Sequence, residues 1–161
     1  DTRMTSEILI FTSPLGALEI TAEQGFITHL TPVSGKVRNK QKTSDLLTKA
    51  VQEVNEFLNG NLKKFTVPVK VSGSHTQQKV WKELQRIPYG KTISYTEMAE
   101  RIGNPNAMRA VGSACGKNPI PLIIPCHRVL RSDGSLGGFG WGLEVKDFLL
   151  AMERGQIRNA A

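Results

Sequence analysis

The hydrophobic period changes partway along this chain, and that change limits the folds open to it. In EILIFTSPLGALEITAEQGFITHLT, residues 7–31, apolar residues alternate, and the alternation breaks at SPLG and EQG. Side chains of a strand point alternately to its two faces, so the pattern predicts three short antiparallel strands. Further on the spacing turns helical. SDLLTKAVQEVNEFLNG opens with a Ser44 cap, sets Leu47, Val51, Val54 and Leu58 on one stripe, and stops at Gly60. Between these blocks SGKVRNKQK is polar and basic and reads as a loop. KKFTVPVKVSG then leads through Gly73 into a different second half, so we place a domain boundary there, with an N-terminal α/β domain over 1–73 and a second domain over 74–161.

The second half is mostly helical. SHTQQKVWKELQRIP carries Val80, Trp81 and Leu84 on one face. SYTEMAERIG has Ser94 and Glu97 spaced as a capping box, with Gly103 as its stop. NPNAMRAVGSACGKN offers Asn104 as a cap and Pro105 as first helical residue. Its Ala107, Ala110, Val111 and Ala114 are small and helically spaced, and Ala107, Ala110, Gly112 and Ser113 surround Arg109. Two short helices joined by GNPN form a winged-helix-like helix-turn-helix candidate. The small residues suit either close approach to another surface or tight packing on a core neighbour. IPLIIP, bounded by prolines, reads as a buried strand. GLEVKDFLLAMERG repeats apolar residues at Val145, Phe148, Leu149 and Met152 and leaves Glu153 outside the stripe. The expected class is α/β (α+β).

Composition narrows the function. The 161 residues are 39% apolar and 22% charged, enough for a core. No apolar run approaches the ~20 residues that cross a bilayer. DTRMTSEILIF lacks a long apolar stretch and a small-residue cleavage site, so no signal peptide is expected, and Met4 is a candidate start. Two cysteines, Cys115 and Cys126, are too few for a disulfide scaffold and lack zinc spacing, which points to a reducing cytoplasm. The net charge of +7 is uneven: residues 74–161 carry 12 Lys and Arg against 7 Asp and Glu, and residues 1–73 carry 9 against 7. A basic half suits a polyanion such as nucleic acid, and equally suits plain solubility.

Cys126 follows IPLIIP and precedes His127. An imidazole can activate a thiol, but neighbours on an extended chain point to opposite sides, so His127 reaches the sulfur only if the chain turns or a water intervenes. On the pair alone, an inert buried cysteine beside an exposed histidine is the better explanation.

The longer pattern reverses that. SY, NPNAMRAVG, KNPIP, IPCHRV and a late glutamate in KDFLLAMER, in this order, closely resemble the O6-alkylguanine-DNA alkyltransferase family, densely over residues 74–155 and only in general layout before them. The resemblance implies a DNA repair protein that flips O6-alkylguanine out of a duplex and moves the alkyl group irreversibly to Cys126, once per molecule. It implies His127 as base through a water, Glu153 as the carboxylate orienting it, Asn118 as a brace for the turn, and Tyr95 as donor to guanine N3 beside the 3′ phosphate. Arg109 resembles the finger that fills the vacated stack. Ala110, Gly112 and Ser113 then let the helix enter a minor groove, with Arg128 also on the DNA. Pro121, Val129, Phe139, Gly140 and Trp141 become the pocket.

The chain departs from the family at Phe139 and Gly140, where members often carry tyrosine and a hydroxyl residue. Trp141 stands where some have glycine, and we expect it to limit alkyl size rather than only to anchor the loop. No cysteine precedes Cys115, so the structural zinc of some members is not expected, and no cofactor is implied. The expected partner is double-stranded DNA, bound by a monomer with no membrane role; repair of O4-alkylthymine and cooperative binding stay open. Two other functions fit parts of the pattern: a DNA-binding module without chemistry, against which Cys126 argues, and a Cys-His-Glu hydrolase, which would turn over acyl or amide substrates.

Overall fold

The alternating segment forms the three expected strands. In the computed structural model, which describes residues 6–34 and 43–156, they are β1 (Ser6–Ser13), β2 (Gly16–Glu23) and β3 (Phe26–Pro32), an antiparallel sheet in the order β1-β2-β3. Glu23 pairs with Phe26 across a two-residue turn in which Gln24 and Gly25 both hold positive φ, the geometry that matches strand twist in a tight hairpin. Met4 and nearly all of SGKVRNKQK lie outside the described residues.

Helix α1 (Asp45–Leu58) packs on this sheet, capped by Ser44, which accepts from Leu47 N. Its buried stripe is Leu47, Ala50, Val54, Phe57 and Leu58; Val51, expected in the stripe, is half-buried, because Ala50 and Phe57 lie nearer its axis. Buried Glu53 accepts from Thr66 N and Val67 N, at 2.9 and 3.2 Å, and so ties the returning chain to the helix. The chain divides into two units, Asp1–Val71 and Ser72–Ala161.

In the second unit, α2 (His75–Leu84) buries Val80, Trp81 and Leu84, and Ser74 and Gln77 form a complete capping box. The two-residue strand β4 (Ile93–Ser94) runs into α3 (Tyr95–Arg101), followed by α4 (Met108–Gly116). Ser94 caps α3 by accepting from Glu97 N, but the Glu97 carboxylate pairs with Arg101 instead of closing the box. The start of α4 also differs from expectation. Asn104 N donates to Ala99 O and Gly103 N to Glu100 O, with Gly103 at φ 82°. This closure places Asn104 just past the end of α3, three residues before the cap position of α4. Residues 104–107 form a turn instead, and α4 begins at Met108 with Ala107 at its cap position and no side-chain cap.

IPLIIP is buried, as expected, but it is a tight turn rather than a strand. Pro121 bridges to Ile124, Ile124 N donates to Ile120 O at 2.9 Å, and Leu122 holds φ 74°. Two prolines remove donors that a ladder needs, so the segment folds on itself. A 3₁₀ turn (Cys126–Arg128) follows, then β5 (Val129–Leu130), which pairs in parallel with β4. Helix α5 (Leu143–Glu153) closes the unit. It buries Lys146, Leu149, Leu150, Met152 and Glu153, so Glu153 belongs to its inward face rather than lying outside it.

Candidate active site

The folding of IPLIIP delivers the cysteine. Asn118 braces it from both ends: its Nδ2 donates to Ile124 O at 2.7 Å and its Oδ1 accepts from Ile120 N at 3.0 Å. Cys126 N donates to Ile124 O at 2.8 Å, and the 3₁₀ turn that begins there turns His127 inward. Cys126 is 4% exposed and His127 fully buried.

Behind the cysteine lies a buried charge network. His127 Nε2 and Glu153 Oε2 are 2.6 Å apart. Glu153 also accepts from Arg128 Nε at 2.8 Å, Arg128 Nη2 at 2.9 Å and Gly90 N at 3.0 Å. Burial works against ionisation of Glu153, yet the hydrogen bonds from His127 and Arg128 prevail and hold its carboxyl at about 2. Burial pushes the His127 pKa down despite the carboxylate beside it, so the imidazole is the neutral, basic form at neutral pH. With an ionised carboxylate at Nε2, that nitrogen carries the proton and donates, which leaves Nδ1 as the basic nitrogen.

Arg128 was expected on the DNA. The fold places its guanidinium inside, 6% exposed, forked onto Glu153 and donating to Ile87 O at 2.7 Å. A buried carboxylate needs such a partner, and this one leaves no guanidinium face for a phosphate.

A cavity of about 710 Å³ opens beside the cysteine, lined by Tyr95, Arg109, Gly112, Cys115, Cys126 and Phe139 among others. Burial raises the Tyr95 phenol to about 12, so it is a proton donor at neutral pH. Arg109 is exposed at the start of α4, on the cavity rim. Ala110 and Ser113 are exposed on the same helix, while Ala107, Val111 and Ala114 pack inward and Trp81 Nε1 donates to Ala114 O at 2.8 Å. The small residues thus divide between an exposed face and one that packs on the core. Gly140 lines the cavity, and a Cβ there would meet nothing within 4 Å.

Three expected pocket residues lie elsewhere. Pro121 and Val129 are buried and do not line the cavity. Trp141 also stands off it; its ring centre is 6.3 Å from that of Phe139, tilted 57°. Its nearest described ring is therefore Phe139, which lines the cavity.

The sequence reading missed Cys115, Arg131 and Met108 on the cavity wall and Lys146 behind it. Lys146 had a signal. With Leu149, Leu150 and Glu153 it falls at i, i+3, i+4 and i+7, so two charges share the helix's apolar face. Burial also pushes both thiols up: Cys115 to about 12, and Cys126 against the opposing hydrogen bond of Asn118 and the charge of Lys146.

Known proteins match both halves. Residues 75–155 match the family described as 6-O-methylguanine DNA methyltransferase, DNA binding domain, and residues 9–71 match its ribonuclease-like domain. The methylated-DNA--protein-cysteine methyltransferase of Methanosarcina barkeri is 38% identical over 154 residues, 92% of this chain and 98% of that protein. The Haemophilus influenzae protein of the same name is 41% identical over 150 residues, 89% of this chain and 84% of that one. A Mycobacterium tuberculosis OGT crystal structure in complex with DNA superposes with a TM-score of 0.82 at 39% identity, covering 92% of this chain and 93% of that one. Matched in both halves and at this identity along nearly its full length, the chain belongs to the 6-O-methylguanine DNA methyltransferase family.

Proposed function

We propose that this protein repairs alkylated DNA by taking the alkyl group of O6-alkylguanine onto Cys126. The observation that carries the reading is the Cys126 sulfur at the cavity wall, one residue before a neutral histidine hydrogen-bonded to an ionised glutamate. His127 Nδ1 accepts the thiol proton through a water, and Glu153 stabilises the imidazolium that results. The thiolate attacks the alkyl carbon, an S–C bond forms, the C–O6 bond breaks, and its electron pair stays on guanine. Tyr95 donates toward guanine N3, so the base leaves without full negative charge. A thioether has no route back to thiol here, so each molecule acts once.

The target base lies inside a duplex and must be flipped out, at a cost of a few kcal/mol. Arg109 fills the gap, and the exposed small residues Ala110 and Ser113 bring α4 close to the minor groove. Residues 74–161 form the DNA-binding and acceptor domain, and 1–73 its N-terminal companion. The reading carries with it a monomer in a reducing cytoplasm.

Intact-mass analysis after incubation with a duplex containing O6-methylguanine tests it. One methyl group per molecule is expected, mapped to Cys126 and absent in Cys126→Ala, which keeps DNA binding. Several turnovers, or the methyl group on Cys115, overturn the assignment. A parallel duplex with O4-methylthymine tells whether that base is a substrate.

A further inference from the structure

Helix α4 turns one stripe toward the cavity. Met108, Gly112 and Cys115 fall at i, i+4 and i+7, so they share a face, and all three line the cavity. Met108 is 49% exposed, whereas Gly112 and Cys115 are half-buried. It therefore stands at the mouth, next to Arg109 and ~10 Å along the helix from Cys115 at 1.5 Å per residue. Large exposed hydrophobic side chains are few: among the described residues they are Ile8, Phe26, Met108 and Leu143. Of these, Met108 alone lines the cavity.

The Met108 side chain is also held. Thr96 Oγ1 lies 3.2 Å from Met108 Sδ and 3.0 Å from Ser132 Oγ. A thioether only accepts, so Thr96 donates its single proton to the sulfur and takes one from Ser132. Hydroxyls from α3 and from the segment after β5 thus position a side chain that is otherwise flexible. Less ordering remains to be done when a partner binds there.

We propose that Met108 is an apolar wedge on DNA, pressing on the base step beside the extruded guanine while Arg109 fills the gap. The proposal rests on the function proposed above, in that the duplex is opened at this cavity. Proteins that enter the minor groove insert apolar side chains, methionine among them, to unstack a step and kink the duplex. Consecutive helical residues point about 100° apart, so Met108 and Arg109 reach neighbouring places, one apolar and one charged. Base faces uncovered by extrusion are apolar, and a polarizable thioether covers such a face without shedding a hydration shell. Gly112, next on the stripe, adds no side chain between the wedge and the cavity.

Three measurements on the wild type, Met108→Ala and Met108→Leu test it. The first compares transfer from a duplex containing O6-methylguanine with reaction of free O6-benzylguanine, which has no stack to open. Met108→Ala should repair the duplex about tenfold more slowly and lose much less on the free base, and Met108→Leu should keep most of the duplex rate. The second places 2-aminopurine beside the lesion, where its fluorescence rises on unstacking. The rise should be large with the wild type and small with Met108→Ala, also when both carry Cys126→Ala and no transfer occurs. The third follows DNA affinity against salt. Met108→Ala should bind more weakly with an unchanged slope, whereas loss of a phosphate-bound cation lowers the slope by about one. Equal losses on duplex and free base make Met108 a pocket wall and overturn the wedge, as does an unchanged duplex rate, an unchanged fluorescence rise or a lowered slope. Should the wild type take no methyl group from DNA while the fluorescence contrast holds, the acceptor reading fails and the wedge stands.

Discussion

At Glu153 four donors surround one buried carboxylate, so a single side chain both holds the His127 imidazole and balances a buried guanidinium. Its carboxyl sits at about 2 against an ordinary 4.5. The stability this contributes, ~3 kcal/mol, is fully present above the ordinary value and is lost as pH falls from there toward 2. Glu153→Gln should therefore flatten acid unfolding, and it should destabilise at neutral pH by roughly 3–5 kcal/mol because Arg128 stays buried without its counter-charge. Urea unfolding at pH 7 and at pH 3 checks both parts. His127→Ala should slow methyl transfer at pH 7 and lose less at high pH, where the thiolate forms unaided; a constant deficit across the pH range would remove the histidine from the proton path.

The glycine loop and α4 make different demands on their residues. Gly137 holds φ 70°, and a Cβ there would stand 2.9 Å from Tyr95 Oη. Gly137→Ala should therefore move the loop off Tyr95 and slow transfer from methyl and benzyl substrates together. Gly140 has room for a side chain, so Gly140→Ser should leave the melting temperature within a few degrees of wild type and give the pocket a hydroxyl donor. Trp141 sits beside Phe139, off the cavity wall, so Trp141→Ala should slow methyl and benzyl transfer in parallel. Faster benzyl transfer alone would restore it as a gate. On α4, Arg109→Ala should slow repair of duplex DNA far more than reaction with free O6-benzylguanine, since only the duplex leaves a gap to fill; equal losses would mean Arg109 supports the fold.

For the whole molecule, charge and pH set the outer behaviour. The basic second half should make DNA affinity fall linearly with log salt, measurable by titration at several salt concentrations. Stability should fall as pH drops below the ordinary histidine value of 6.5, because the unfolded chain takes up the proton that buried His127 refuses, and again toward 2 as Glu153 is protonated. By itself the sequence determined what depends on neighbours along the chain. The alternation of residues 7–31 specified three strands, glycines marked helix ends, and the ordered motifs around PCHRV specified the family. Tertiary structure decided the rest. IPLIIP became a turn because its two prolines remove ladder donors and it bonds to itself, and α4 starts only after the turn over residues 104–107. Arg128 and Lys146 turned inward, because burial of one charge is decided by which opposite charges and carbonyls the fold brings to it. Those partners lie up to 63 residues away in sequence, as Gly90 and Glu153 do, and no local pattern encodes them.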